Sequence, residues 1–465
     1  MNPLELNGMG GDTICAVSTP PGRGGIAVVR VSGPRAIDIV SNCWRGKLLS
    51  EMTSHTVHLG SVVDSEGEEI DQAVLTIYCA PNSFTGEDVV ELACHGSTWI
   101  QQQVIQTLID AGCRHATAGE FTRRAFANGR MDLAQAEAVA DVIAAQSRAA
   151  HHVAMSQMRG RYSDELKSLR EKLLHFVALI ELELDFSEED VTFADRGEVT
   201  ALAHDIKALI SRLADSYRTG NAIRDGLPVA IVGQTNAGKS TLLNALLRDD
   251  RALVSNIHGT TRDTIEDTVV MGGTLFRFID TAGIRQSSDA VERMGIERTW
   301  QAIDKANVVL WVVDVTSADT SMASDILARC EGKALITVLN KTDLDDDYAA
   351  RSELNDILPE GTPVVAISAK SEKDIETLRD LIVKTAALPN VESDTVIVTN
   401  ARHYQALTRA RNAISRAIDG LNSGLSGDLL DQDIRECLHW LSEITGEITT
   451  DNILGEIFAH FCVGK

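Results

Sequence analysis

The sequence predicts a multidomain protein: an α+β N-terminal domain, an α-helical domain, and an α/β domain with a mostly parallel sheet inserted into the helical one. Three observations predict this. Residues 12–125 are strand-like and rich in turns. From Asp132 to about Thr219, and again after Asn400, apolar residues recur at three- and four-residue spacing. Residues 228–386 alternate apolar strands with helices, the pattern of a parallel sheet. The expected boundaries are 1–128, 129–225, 226–388 and 389–465. A chain of 465 residues has room for about two to four domains, each with its own core.

In the first block Thr13–Val17 and Ile26–Val31 read as strands flanking Pro20-Pro-Gly-Arg-Gly-Gly25, with further strands at Val74–Tyr78 and Val89–Leu92. A helix over Thr98–Asp110 stops at Ala111-Gly112. In the helical blocks Leu133, Ala136, Val139, Ala140 and Ile143 share a stripe, as do Leu166, Leu169, Leu173 and Leu174. After Asn400 the stripe returns as Leu407, Ile414, Ile418 and Leu421, then Leu438, Leu441 and Ile444. Either half alone would expose its apolar stripe, so packing the halves together is the simplest architecture. Two independent helical subdomains satisfy the same periodicity.

With 44% hydrophobic and 24% charged residues, the composition is that of a globular protein and excludes wholesale disorder or a collagen-like repeat. The formal charge of −24 excludes nonspecific coating of nucleic acid, which draws on Lys and Arg. Any nucleic acid must dock on a local basic patch or through a partner. Arg402, Arg409 and Arg416, seven residues apart, offer such a stripe, although a solvated helix face has the same pattern. The eight cysteines are scattered, without C-x-x-C or zinc spacing, as expected of reduced thiols in a cytoplasmic protein. Met1–Gly11 lacks the pattern of a signal peptide, and no run of about 18 apolar residues predicts a membrane span. The longest strong run, Val308–Val313, has strand length and ends at Asp314.

Strand Val229–Val232 leads into Gly233-Gln-Thr-Asn236-Ala237-Gly238-Lys239-Ser240, followed by a helical pattern from Thr241 to Leu247. This is G-x-x-x-x-G-K-S in its strand–loop–helix context. Its glycines let backbone N–H groups converge on phosphate oxygens at a helix N-terminus. Lys239 would reach the β- and γ-phosphates and Ser240 would ligate Mg²⁺. Four segments follow in order. Gly259-Thr260-Thr261-Arg262-Asp263 offers a hydroxyl to the magnesium shell, and strand Leu275–Ile279 runs into Asp280-Thr281-Ala282-Gly283. Strand Ala334–Leu339 runs into Asn340-Lys341-Thr342-Asp343, and Val364–Ile367 into Ser368-Ala369-Lys370.

The Asp343 carboxylate matches the two N–H donors on one edge of guanine, whereas adenine would leave a buried carboxylate unpaired. Lys341 can lay its stem over the base face, and the Ala369 N–H can serve the guanine oxygen. Together the five segments predict a guanine-nucleotide domain that takes GTP. Where many small GTPases have a water-orienting Gln, Ile284 has no hydrogen-bonding side chain, which on its own fits a non-hydrolysing switch or scaffold. The carboxamide of Asn236 could instead help hold a monovalent cation in the electrostatic role of an arginine finger.

Thr19-Pro-Pro-Gly-Arg-Gly-Gly25, Pro81-Asn-Ser-Phe-Thr-Gly-Glu-Asp88, Asp132-Leu-Ala-Gln-Ala-Glu137, the nucleotide motifs and Cys462-Val-Gly-Lys465 are familiar in this order. From Asp12 to Lys465 the chain resembles the tRNA-modification GTPase family MnmE, also called TrmE. The resemblance implies a folate-binding N-terminal domain through which members form homodimers, and a G domain inserted in a split helical domain. It implies a partner, the FAD-dependent MnmG, in a heterotetramer. With it, members form an aminomethyl or carboxymethylaminomethyl group at carbon 5 of the tRNA wobble uridine, using a 5-formyl- or 5,10-methylene-tetrahydrofolate.

Carried over by position, K⁺ would lie among Asn236 and the backbone of Ser255, Ile257 and Thr260, and Mg²⁺ at Ser240 and Thr261. Thr241, Asn256 and His258 fall within the same nucleotide segments. Glu292 matches a glutamate that organises the attacking water indirectly, so Glu292, Lys239 and Asn236 form the expected catalytic set. Arg30, Glu91, Arg130 and Lys465 match the folate-binding residues, and Cys462 matches a cysteine needed for modification, as nucleophile or as neighbour of the folate. A ribosome-assembly or RNA-chaperone GTPase would share the nucleotide motifs. The N-terminal 125 residues and Lys465 separate the two, because an RNA chaperone needs no folate pocket.

Overall fold

A computed structural model of the chain describes residues 11–185, 196–248, 267–279, 292–317, 321–344, 354, 356–386, 395–425, 427–459 and 461–464. The chain divides into two units: Met1–Ala140 with Gln157–Phe193 and Leu425–Lys465, and Asp141–Ser156 with Ala194–Gly424.

Strands β1 (Ile14–Val17), β2 (Ile26–Ser32), β3 (Trp44–Arg45), β4 (Thr56–Val63), β5 (Glu69–Tyr78), β6 (Val89–His95) and β7 (Arg114–His115) form one sheet in the order β3-β4-β5-β6-β2-β1-β7. Pairing is antiparallel except between β1 and β7. Alternation decides the faces. Val29, Val31, Leu75 and Leu92 point into a core with Val40 of α1 (Ala36–Asn42) and with Val104 and Leu108 of α2 (Thr98–Asp110). Arg30 and Glu91, opposite one another in register, take the other face. There Ile14 and Ala16 pack with Phe121 of α3 (Glu120–Ala127). Strand β4 was not evident in the sequence because Gly60 interrupts it. A Cβ at Gly60 would lie 2.3 Å from the Trp44 ring, so the glycine makes room for the indole rather than ending the strand.

Beneath α3 lies an ion network. Arg124, buried, donates to Asp12 and Glu120, and Arg114 Nη2 donates to Glu120 Oε1 (2.5 Å). Burial pushes the Glu120 carboxyl up, but hydrogen bonds from Arg114, the Thr117 N–H and Arg124 outweigh this and hold it at about 2. Because that lies below its unfolded value of 4.5, the stabilisation is whole above about pH 4.5 and drains away as pH falls towards 2. Denaturant titrations at pH 5 and pH 3 should therefore differ by an amount on the order of 2 kcal/mol through this group. Glu120→Gln should remove that share of the difference.

Helices α4 (Leu133–Ala144), α5 (Arg148–Met158), α6 (Arg161–Asp185) and α7 (Arg196–Asp225) fill the first helical block. Leu166, Leu169 and Leu173 are buried as their spacing predicts, but Leu174 and Ile143 are exposed, at the margins of their stripes.

The second sheet comprises β8 (Leu227–Val232), β9 (Asp267–Met271), β10 (Thr274–Phe278), β11 (Val308–Asp314), β12 (Ala334–Asn340) and β13 (Val364–Ala366), in the order β13-β12-β11-β8-β10-β9. All neighbours run parallel except β10 and β9. Strand β11 is apolar from Val308 to Val313 because both its faces are covered. Val308, Leu310 and Val312 pack with Leu242 and Leu246 of α8 (Lys239–Leu247). Val309, Trp311 and Val313 pack with Ile303 of α9 (Glu292–Lys305) and Ile326 of α10 (Ala323–Arg329). Helix α11 (Ile375–Ala386) covers the first face through Leu378 and Ile382.

The second helical block holds α12 (Ala401–Asn422), α13 (Gly427–Thr445) and α14 (Asp451–Ala459). Helices of the two blocks pair within each unit: α6 with α13, and α7 with α12. Between α7 and α12, Tyr217 stacks on Tyr404 at 4.6 Å. Asn400 caps α12 by accepting from the Arg402 N–H. Arg402, Arg409 and Arg416 are each engaged within the chain. No helix among the described residues is long and apolar enough to cross a membrane.

Candidate guanine-nucleotide site and N-terminal cleft

The phosphate loop lies at the C-terminal edge of the parallel strands, where open α/β sheets take ligands. Gly233 (φ 145°) leaves β8 so close to β11 that a Cβ would lie 2.2 Å from the Val312 carbonyl. Gly238, left-handed at φ 95°, caps α8, and a Cβ there would strike the Asn340 amide. Asn236 is left-handed and exposed (φ 65°). Lys239 Nζ donates to the carbonyls of Gly233 (2.8 Å) and Gln234 (2.6 Å), which closes the loop around the ammonium. Burial lowers its pKa. Ser240 and Thr241 stand on the first turn of α8, at the positive end of its dipole. The oxygens of Asn236 and Ser240 are hard donors of the kind that K⁺ and Mg²⁺ take.

Asn340, buried at the end of β12, ties this loop to the base loop. Its Nδ2 donates to the Ala237 carbonyl (2.8 Å) and its Oδ1 accepts the Ala369 N–H (3.0 Å). The Ala369 N–H, expected to serve guanine, is thus engaged by Asn340. Ser368 Oγ donates to Asp343 Oδ1 (2.6 Å), and this bond first, with Lys370 and Lys341 nearby, holds the Asp343 carboxyl below its usual range against slight desolvation. Asp343 is exposed, a correction to the buried carboxylate expected, because it sits on the open rim beyond β12. Lys341 is left-handed (φ 69°) and its Nζ donates to Asp314, a residue outside the expected set whose only signal in the sequence was its place at the end of an apolar strand.

Several expected residues lie outside the described ones: Ser255, Asn256, Ile257, His258, Gly259, Thr260, Thr261, Asp280, Thr281, Ala282, Gly283 and Lys465. Glu292 opens α9, and its side chain also lies outside the described residues.

In the N-terminal sheet Arg30 Nε donates to Glu91 Oε1 at 2.8 Å. The guanidinium lies over Phe84 (5.4 Å) and Phe121 (5.6 Å). Phe84 also lines an open cleft of about 450 Å³ with His55, Tyr78, Asn82, Ser83 and Arg130. Through Phe84, over which the Arg30 guanidinium lies, the ion pair borders the cleft that Arg130 lines. Burial, then Glu91, pushes the Tyr78 hydroxyl up, with Arg30 opposing. The tail returns to this domain: Val463 bridges Ala118, and Ser18 Oγ donates to the Gly464 carbonyl (3.1 Å). Gly464 is left-handed (φ 98°), and a Cβ there would lie 2.3 Å from the Val17 carbonyl. Cys462 beside it is exposed. The cleft residues His55, Tyr78 and Phe84 were missed as site residues, although Phe84 lies inside the motif Pro81–Asp88.

A strand, a glycine-rich loop closed around a lysine, a helix N-terminus and an Asn-Lys-Thr-Asp rim on a parallel sheet define a P-loop GTP hydrolase. The family model described as the MnmE helical domain matches residues 133–462, and that of the GTP-binding protein TrmE N-terminus matches residues 13–130. The tRNA modification GTPase MnmE of Bacteroides thetaiotaomicron is 53% identical over 468 residues, covering 98% of this chain and 100% of that one. Its counterpart in Parabacteroides distasonis is 53% identical over 462 residues, with 97% and 100% covered. Among solved structures, an Aquifex aeolicus Era variant bound to GDP·AlF4− is similar at 29% identity over 40% of this chain and 65% of that chain, with a TM-score of 0.28. The chain belongs to the MnmE family of tRNA modification GTPases.

Proposed function

We propose that this chain hydrolyses GTP with K⁺ and Mg²⁺ in the phosphate loop. In this reading it works as a cytoplasmic homodimer with an FAD-dependent MnmG-type partner, and modifies carbon 5 of the tRNA wobble uridine with a tetrahydrofolate-borne carbon. The phosphate-loop amides and Lys239 bind the phosphates, Asp343 reads the base, and Glu292 orients the attacking water indirectly. The bound cations would supply fixed positive charge against the charge that develops on the phosphates. Glu91 would bind the pterin edge, Arg30, Arg130 and Lys465 the folate carboxylates, and Cys462 would stand beside them.

The observation that carries the folate reading is the Arg30–Glu91 pair beside an aromatic-lined cleft. Dimerisation is supported by the open sheet face, where Ile26, Val57 and Leu59 are each more than 60% exposed and Leu59, Val74, Ala93 and Val28 form one apolar row across four strands. Calorimetric titration of 5-formyl-tetrahydrofolate into the protein tests the folate reading, and no heat at high micromolar ligand would refute it. GTP turnover should be faster in K⁺ than in Na⁺ by about tenfold or more, and equal rates in the two salts would refute the cation's role.

A further inference from the structure

Strand β11 ends at Asp314, in register with Asn340 of β12. Lys341 follows Asn340, and its Nζ reaches back to Asp314 Oδ2 at 2.5 Å. The other carboxylate oxygen accepts from the Thr316 N–H (3.0 Å) and hydroxyl (2.7 Å), so Asp314 is fixed from both sides. The side chains are 14% and 30% exposed, which shields the pair more than an ordinary surface ion pair. Burial pushes the Asp314 carboxyl up, and the bonds from Lys341 and Thr316 overcome this and hold it below its usual range. The lysine stem therefore runs from the end of β12 to the end of β11. That is the sheet edge from which the Gly233 and Ser368 loops also depart.

We infer that Asp314 is a positioning residue for guanine recognition: by pinning the Lys341 ammonium it sets the methylene stem as a fixed apolar wall for the face of the base. The inference rests on the reading of Asn340–Asp343 as the guanine site. A long side chain free to rotate must be ordered whenever nucleotide binds, whereas a pinned one is ordered in advance. Loss of the pin should weaken guanine-nucleotide binding roughly three- to tenfold.

The test uses the full chain, a fluorescent GDP analogue and steady-state GTP hydrolysis. Asp314→Ala should weaken GDP binding by that factor and raise KM for GTP with kcat unchanged, because the base is held equally in the ground and transition states. Asp314→Asn, which keeps an acceptor, should lose only about two- to threefold. In a Lys341→Ala background neither change at Asp314 should weaken binding further, because Asp314 acts through the lysine. A structural role would instead lower kcat and persist without Lys341. GDP binding by D314A within about twofold of the parent, or effects of D314A and K341A that multiply, would overturn the inference. If D314A does not fold, Asp314→Asn with and without Lys341→Ala decides by the same comparison. Asp343→Asn serves as control: if it binds GDP like the parent, the guanine-site reading falls and takes the inference with it, whereas a null result at Asp314 alone leaves that reading intact.

Discussion

Asp343→Asn turns base preference from guanine towards xanthine. A carboxylate on the rim after β12 presents two acceptors, which two N–H donors on one guanine edge can satisfy. An amide in its place presents one donor and one acceptor, so it opposes the guanine amino group and matches the carbonyl that xanthine carries there. Sites built on such hydrogen bonds discriminate by on the order of 10⁴-fold, and the ratio of kcat/KM for GTP and XTP should move by a comparable factor. Ser368 Oγ, which donates to Asp343 Oδ1, can donate equally to the Asn oxygen, so the loop geometry should survive. Competition between GTP and XTP in single-turnover hydrolysis measures the change. An unchanged ratio would remove Asp343 from base recognition.

Lys239→Ala should lower GTP hydrolysis by on the order of 10³-fold, as expected when a preorganised positive group facing the phosphates is lost. Two effects add here. The charge is removed, and the carbonyls of Gly233 and Gln234 lose the donor that closes the loop on itself. Lys239→Arg separates them, since it keeps the charge but its planar head cannot occupy the same pocket. Restored GDP affinity without restored turnover in the Arg variant would show that placement of the charge is decisive. Binding and turnover near those of the parent in both variants would count against any role for Lys239.

The parts of the fold most legible in the sequence were those whose pattern has one physical cause. Strand β11 is apolar at every position from Val308 to Val313 because helices cover both faces, and the phosphate loop is spelled by the conformations it needs. Less legible were elements whose pattern mixes causes. Strand β4 carries Gly60 for the sake of Trp44, and edge strand β9 is short and half exposed. In the nucleotide site the residue types were plain from spacing, but their partners were not. Nothing in Asn340-Lys-Thr-Asp343 announces that one amide clamps two loops, or that the lysine answers to Asp314. The N-terminal cleft was legible only through family resemblance, because Arg30 and Glu91 meet across strands 61 residues apart.

The bridge between Ala118 and Val463 makes the tail and the N-terminal domain partners in one small structure. During synthesis the first domain must wait at that edge while everything between is made. The entropic cost of closing so long a loop grows only logarithmically, by about 0.6 kcal/mol per doubling. A large insertion therefore burdens the equilibrium little and the kinetics more, since distant pairings form slowly. The pairing of Ala118 with Val463 is therefore among the slow ones to form.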